Sequence, residues 1–257
     1  MKHQQSLERL IKTASDKMRS DDNTKGTTKY LEHFSWLLFL RVFEELENER
    51  EEEALIDGKP FQRVIDQEHS WSTWTRAGNT GSALIQYIQG ELLPYLQELA
   101  GSPTADKIAQ IFTGVTTVMK SGYVLAEVVD VINKVDFHGS EDYHAMSVIY
   151  ETLLAEMGTE AGWSGEFYTP RPIVDFMTWA VDPKLGETVY DPFAGSSGFL
   201  ISPYEFLKDN EITVADLERL QHETLFGQES GELPFLLGTM NMILHGSRPP
   251  IWFERTP

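Results

Sequence analysis

Apolar residues recur at helical intervals through the first 130 residues. Leu7, Leu10, Ile11 and Ala14 share one side of the segment 4–18, which predicts a short amphipathic helix. From near Thr28 onward, Leu31, Phe34, Leu38 and Val42 follow at steps of three or four. Trp36, Leu37, Phe39 and Leu40 widen that face, so this helix is expected to be buried on more than one side. It then runs into Glu44, Glu45, Glu47, Glu49, Glu51, Glu52 and Glu53. Such a run is either a docking surface or a solvated helix end, and the solvated end is the favoured reading. Residues 57–82, rich in Gly, Ser, Thr, Asn and Asp, read as a long loop. The segment Ser82 to Leu99 reads as a helix that kinks or breaks at Gly90 and Pro94. Residues 123–133 fit a helix or a strand, and helix is preferred.

The pattern changes after Asp136. Tyr143, Met146, Tyr150, Leu153 and Met157 fall on one face of a helix ending at Gly158. A loop from Gly162 to Pro172 precedes a helix from Ile173 to Val181. A short strand, Thr188 to Tyr190, enters the turn at Asp191, after which a helix starts. A helix from about Val214 to His222, a strand from Thr224 to Gln228 and a helix from Glu232 to His245 follow. The last helix carries Leu233, Leu236, Leu237, Met240, Ile243 and Leu244 on its apolar face. Alternation of strand and helix indicates a parallel sheet. The expected architecture is α/β: an all-helical domain over 1–135, then a doubly wound domain over 136–257.

Composition narrows the function classes. The 257 residues carry 21 Lys+Arg against 40 Asp+Glu, a net charge of −19, and 41% are hydrophobic. That apolar share supports a core and excludes wholesale disorder. The charge argues against a chain that grips nucleic acid unaided, because phosphate contacts need clustered Lys and Arg. It is unevenly spread, with −6 over 1–130 and −13 over 131–257. The absence of cysteine excludes disulfides, thiolate metal sites and a cysteine nucleophile. No apolar leader follows Met1-Lys2-His3, and no stretch approaches the ~20 apolar residues of a membrane span. A cytoplasmic location without membrane partners is expected.

Asp191 to Gly198 is the strongest chemical feature. A strand enters a turn with two glycines and two serines, and a helix begins. Glycines let backbone approach a ligand, and the helix start offers unpaired N–H groups. The loop is neither a P-loop nor a G-x-G-x-x-G turn. The second strand ends at Glu229, 38 residues after Asp191. In doubly wound sheets a carboxylate at that place binds ribose. The ~20-residue spacing of the dinucleotide pattern is exceeded because a further helical segment intervenes near 202–222.

Three ordered motifs carry a resemblance. They are Gly165-Glu166-Phe167-Tyr168-Thr169-Pro170-Arg171-Pro172, then Asp191-Pro192-Phe193-Ala194-Gly195-Ser196-Ser197-Gly198-Phe199, then Gly227-Gln228-Glu229 followed by Met240-Asn241-Met242-Ile243-Leu244-His245-Gly246. Together they resemble the modification (M) subunits of type I restriction-modification systems, adenine-N6 DNA methyltransferases that use S-adenosylmethionine. Ile11 to Arg19 and the Tyr30–Phe43 stretch are similar to the N-terminal helical domain of that family. The resemblance implies that Glu166, Phe167, Tyr168, Thr169, Pro170 and Arg171 lie over the methionine end of S-adenosylmethionine. The structural alternative for this stretch is a helix start with Thr169 as cap and Pro170 in the first turn. It implies that Asp191, Ala194, Gly195, Ser196, Ser197 and Gly198 cradle the methionine moiety, and that Glu229 accepts both ribose hydroxyls. The partners it implies are a specificity subunit, a restriction subunit, a second M subunit, and double-stranded DNA reached through the complex.

One departure stands out. The family holds the flipped adenine with an Asn-Pro-Pro-aromatic motif after the fourth strand. Here the only Pro-Pro is Pro249-Pro250, preceded by Arg248 and followed by Ile251. Arg248 has no acceptor, so this stretch is read as a loop leading to a third strand. The chain is therefore expected to hold the cofactor part of a Rossmann-like methyltransferase domain with an incomplete sheet, no catalytic residue, and no activity alone. A non-enzymatic module that docks to restriction-modification partners is the alternative; action on RNA or protein is a third. His138, His144 and His222 lack metal-ligand spacing and are assigned structural roles. Trp71, Trp74 and Trp163, without basic neighbours, are read as packing residues rather than base-stacking ones.

Overall fold

The computed structural model describes residues 2–21, 27–76, 80–134, 169–208, 213–245 and 253–255. The expected helix Tyr143–Met157, the loop stretch 162–168 with Trp163, His138, His144 and Pro249-Pro250 lie outside the described residues. The chain divides into two compact units, Met1–Leu153 and Leu154–Pro257.

The first unit is helical. Helix α1 (Lys2–Met18) packs along α7 (Gly122–Ile132) and touches the long α2 (Thr27–Ile56). Every residue from Phe34 to Leu40 is buried. The broad apolar face of α2 is thus enclosed on several sides, as its pattern predicts. Phe39 stacks on Phe43, and Trp36 meets Phe112 edge-on. Asp21, just past α1, accepts from the backbone N–H of Lys120 and Ser121, at 3.1 and 2.7 Å. Ser121 then caps α7 by accepting from the Val124 N–H.

The glutamate run on α2 is not simply a solvated helix end. Glu44 and Glu47 are buried, and each carboxylate receives backbone N–H groups from the segment 57–82. Ser72 N–H donates to Glu44 at 3.0 Å. Val64 and Ile65 N–H donate to Glu47, at 2.5 and 3.4 Å. Only Glu51 to Glu53 are exposed. The loop read over 57–82 contains helix α3 (Trp71–Arg76), whose two tryptophans are buried. Trp71 Nε1 donates to Asn133 at 2.7 Å, so these two rings pack as expected. The helix broken near Gly90 and Pro94 resolves into α4 (Ser82–Tyr87), a wide π turn (Ile88–Leu92) and α5 (Leu93–Gln97), with Pro94 in the first turn of α5. Ser102 and Pro103 then open α6 (Pro103–Phe112).

The second unit is α/β. Helix α8 (Arg171–Val181) leads to β1 (Val189–Asp191), α9 (Gly198–Lys208), α10 (Val214–Arg219), a π turn (Leu220–Thr224), β2 (Leu225–Glu229), α11 (Glu232–Leu244) and β3 (Phe253–Arg255). The strands form one parallel sheet in the order β1-β2-β3, with Asp191 opposite Gly227. The expected helical domain followed by a parallel α/β sheet is what the chain adopts. Leu200, Ile201, Tyr204 and Leu207 of α9 pack with Leu220, Leu225, Phe235 and Met242 to make the core of this unit. A capping box at Thr213 and Asp216 starts α10. The start of α8 departs from expectation: Pro170 is the cap residue, Thr169 makes no cap, and Pro172 occupies the first turn. Proline fits there because the first-turn N–H has no intrahelical partner.

Candidate functional site

The site forms where β1 and β2 end side by side. Parallel pairing brings both strand termini to the same edge, and the turns that leave them meet. Asp191 ends β1, and its Oδ1 accepts from the Phe193 N–H at 3.0 Å. The chain then closes a tight turn in which Ser197 N–H donates to Ala194 O at 2.7 Å. Gly195 and Ser197 both have positive φ, 52° and 66°. For Ser197 that backbone is strained, and the surroundings hold it. Ala194 N–H donates to Gln228 O on β2 at 2.9 Å. Asn241, buried on α11, donates from Nδ2 to Ser196 O at 3.0 Å.

Glu229 joins the two turns. Its Oε2 accepts from Gly195 N–H at 2.8 Å and its Oε1 from Gly231 N–H at 2.7 Å. A carboxylate offers about four acceptor positions, so each oxygen keeps capacity for a further donor. Asp191 is held above the ordinary carboxylate range, first by burial and further by the Glu229 charge, against the opposing bond from Phe193 N–H. Ser197 Oγ and Asn241 Oδ1 are buried without a hydrogen-bond partner. The loop therefore gathers two carboxylates and two unsatisfied polar atoms around glycine-containing backbone. That chemistry suits a ligand with an amine and vicinal hydroxyls.

Seven of the thirteen sequence-selected residues are brought together here: Asp191, Ala194, Gly195, Ser196, Ser197, Gly198 and Glu229. Thr169, Pro170 and Arg171 sit at the start of α8. Glu166, Phe167 and Tyr168 lie outside the described residues. Asn241 and Gln228 were quoted in motifs but given no role, yet both hold the loop. The readable signal for Asn241 was an amide between Met240 and Met242 on an otherwise apolar helix. Among the described residues no cluster of three or more His, Asp or Glu has the arrangement of a metal site. His222 stands 3.5 Å from Glu218 on the helical surface.

A helical unit followed by a parallel sheet with this loop and acidic residue defines a methyltransferase-type α/β architecture. Family models agree with it: that of the HsdM N-terminal domain matches residues 7–132, and that of N-6 DNA methylase matches 141–251. The EcoEI type I restriction enzyme methylase subunit of Escherichia coli is 35% identical over 252 residues, covering 96% of this chain and 50% of the relative. The crystal structure of a type I modification subunit from Vibrio vulnificus YJ016 superposes with a TM-score of 0.89 at 40% identity, over 98% of this chain and 56% of that one. A chain of a type I restriction-modification system solved for its complex assembly and conformational transition gives 0.77 at 40%, over 98% and 50%. The chain belongs to the family of type I restriction enzyme methylase subunits, and it spans about half their length.

Proposed function

We propose that this chain binds S-adenosylmethionine at the β1–α9 loop and forms the cofactor-holding half of a subunit that methylates adenine N6 in DNA. The observation that carries this reading is the placement of Glu229. Its carboxylate sits between two turns, with each oxygen holding one backbone N–H and retaining acceptor capacity. Two ribose hydroxyls need such a pair of acceptors. Asp191 and the backbone of Ala194 to Gly198 would receive the methionine end, with Glu166 to Arg171 over it. When bound, the cofactor supplies the methyl group; these residues bind and orient it. On this reading residues 1–135 form the helical domain and 136–257 the cofactor domain. The whole subunit works in the cytoplasm with a specificity subunit, a restriction subunit, a second M subunit and double-stranded DNA.

Calorimetry with S-adenosylmethionine tests the reading. Binding is expected for the chain, with a loss of at least about tenfold in Glu229→Gln, since one carboxylate oxygen is worth ~1.4 kcal/mol or more to a buried donor. No heat at millimolar cofactor overturns it. The purified chain is expected to transfer no labelled methyl to DNA, because it carries no base-holding motif.

A further inference from the structure

One peptide unit of the β1–α9 loop is fixed from both ends. The unit joining Ser196 to Ser197 donates its N–H to Ala194 O at 2.7 Å, and its carbonyl, Ser196 O, accepts from Asn241 Nδ2 at 3.0 Å. Ser197 follows this unit with φ at 66°, in the left-handed region that a side chain disfavours. A turn so strained relaxes most simply by rotating that peptide plane, and its two bonds oppose the rotation. The Ala194 bond is local to the turn. The Asn241 bond reaches across from α11, 45 residues away in the chain.

Ser197 and Asn241 are both buried, and Ser197 Oγ and Asn241 Oδ1 have no hydrogen-bond partner. A buried amide left half-satisfied is costly. An apolar side chain would avoid that cost on a helix where Met240, Met242 and Ile243 are buried as well. What the amide adds at this place is the bond to Ser196 O. On either side of the fixed unit, the N–H groups of Ser196 and Gly198 make no hydrogen bond among the described residues. Ala194, Gly195 and Ser197, by contrast, direct theirs to Gln228 O, Glu229 and Ala194 O.

We propose that Asn241 is a positioning residue for the amino-acid end of S-adenosylmethionine. Fully enclosed, it acts through the loop: it locks the Ser196–Ser197 peptide, so that Ser196 and Gly198 keep N–H donors available to a carboxylate. The proposal rests on the cofactor reading and deepens it. It divides the site into a nucleoside part governed by Glu229 and an amino-acid part governed from α11.

Calorimetry on the purified chain with two ligands tests this division. One is S-adenosylmethionine; the other is methylthioadenosine, which keeps the nucleoside and the sulfur and lacks the amino-acid part. Asn241→Ala is expected to weaken S-adenosylmethionine at least about tenfold and methylthioadenosine by no more than about twofold. Asn241→Asp keeps the side-chain shape, has no donor when ionised, and is expected to show the same split. Glu229→Gln is expected to weaken both ligands, since both carry the ribose. Glycine adopts positive φ without strain, so adding Ser197→Gly to Asn241→Ala is expected to regain part of the lost affinity. Equal weakening of both ligands in the two Asn241 variants makes the residue merely structural, and unchanged S-adenosylmethionine affinity removes it from the site; either overturns the proposal while the cofactor reading stands. A wild-type chain that binds neither ligand overturns the two together.

Discussion

The helical and sheet units treat the same kinds of residue in opposite ways. In the helical unit the aromatic groups of α2 are sealed: Phe34, Trp36, Phe39 and Phe43 are almost wholly inaccessible. Its buried carboxylates are consumed by structure, Asp21 and Glu47 each receiving two backbone N–H groups. In the sheet unit Phe176, Trp179 and Phe193 face outward. Its central carboxylates lie on turns at strand ends, where Glu229 bridges two loops and retains acceptor capacity. The first unit is closed around its own polar groups. The second leaves acceptor capacity at its strand ends and apolar side chains exposed on its surface.

A pair of tryptophans breaks or sustains this contrast with the largest effect. Trp36→Ala empties a fully enclosed site in the helical unit, and such truncations cost about 3–5 kcal/mol. Trp179→Ala removes a larger fraction of exposed ring than buried ring, and surface substitutions of that kind stay within about 0.5 kcal/mol. Urea unfolding followed by circular dichroism measures both. Equal losses would show that α8 is as enclosed as α2, against the comparison.

How far the contrast was readable from sequence depends on which interaction set each feature. Helix α2 was legible because its apolar face follows from periodicity alone, and Phe34, Leu38 and Val42 are buried as the spacing requires. The strand–loop–helix at Asp191 was legible because glycine, serine and the flanking β-rich triplet are local signals. Glu44 and Glu47 were not, since their partners are backbone N–H groups 17 to 28 residues away. A carboxylate that will receive Val64 looks the same in sequence as one that stays in water. The α8 start was misread by one residue because two prolines compete for the first turn. Asn241 was invisible as a site residue because its bond to Ser196 spans 45 residues.

The next effect in size concerns a group whose protonation burial dominates. His33 is fully buried, neither ring nitrogen has a hydrogen-bond partner, and desolvation pushes its pKa from 6.5 down to about 3, against the nearby Asp21 charge. The folded unit therefore resists a proton that the unfolded chain accepts. Stability is fully present above pH 6.5 and is lost as pH falls toward 3, by up to about 1.4 kcal/mol per unit for one proton. Glu47, raised by burial, works in the opposite sense above 4.5. The clean measurement is thus the difference between the wild-type chain and His33→Leu from pH 7 to 5. The variant is expected to have the shallower slope; matching slopes would remove His33 from the account.

Asp191 gives the smallest effect and the sharpest separation of the two units. Burial raises its pKa, with Glu229 adding to the rise. A raised carboxyl takes up its proton in the folded state before the unfolded chain does. Stability from this group is therefore present below 3.8 and lost as pH rises through the raised value. Acid thus slightly favours the folded sheet unit through Asp191, whereas it disfavours the helical unit through His33. Cofactor affinity runs the other way, because a protonated Asp191 no longer offers a full acceptor to a ligand amine. As pH falls to the raised value, S-adenosylmethionine binding is expected to weaken while the Asp191 contribution to sheet-unit stability grows, and Asp191→Asn is expected to flatten both trends. Calorimetry reads the affinity, and urea unfolding of the cofactor-free chain reads the stability. If affinity and stability rise and fall together with pH, Asp191 is a structural carboxylate like Asp21, and the line drawn between the closed and the open unit moves to exclude it.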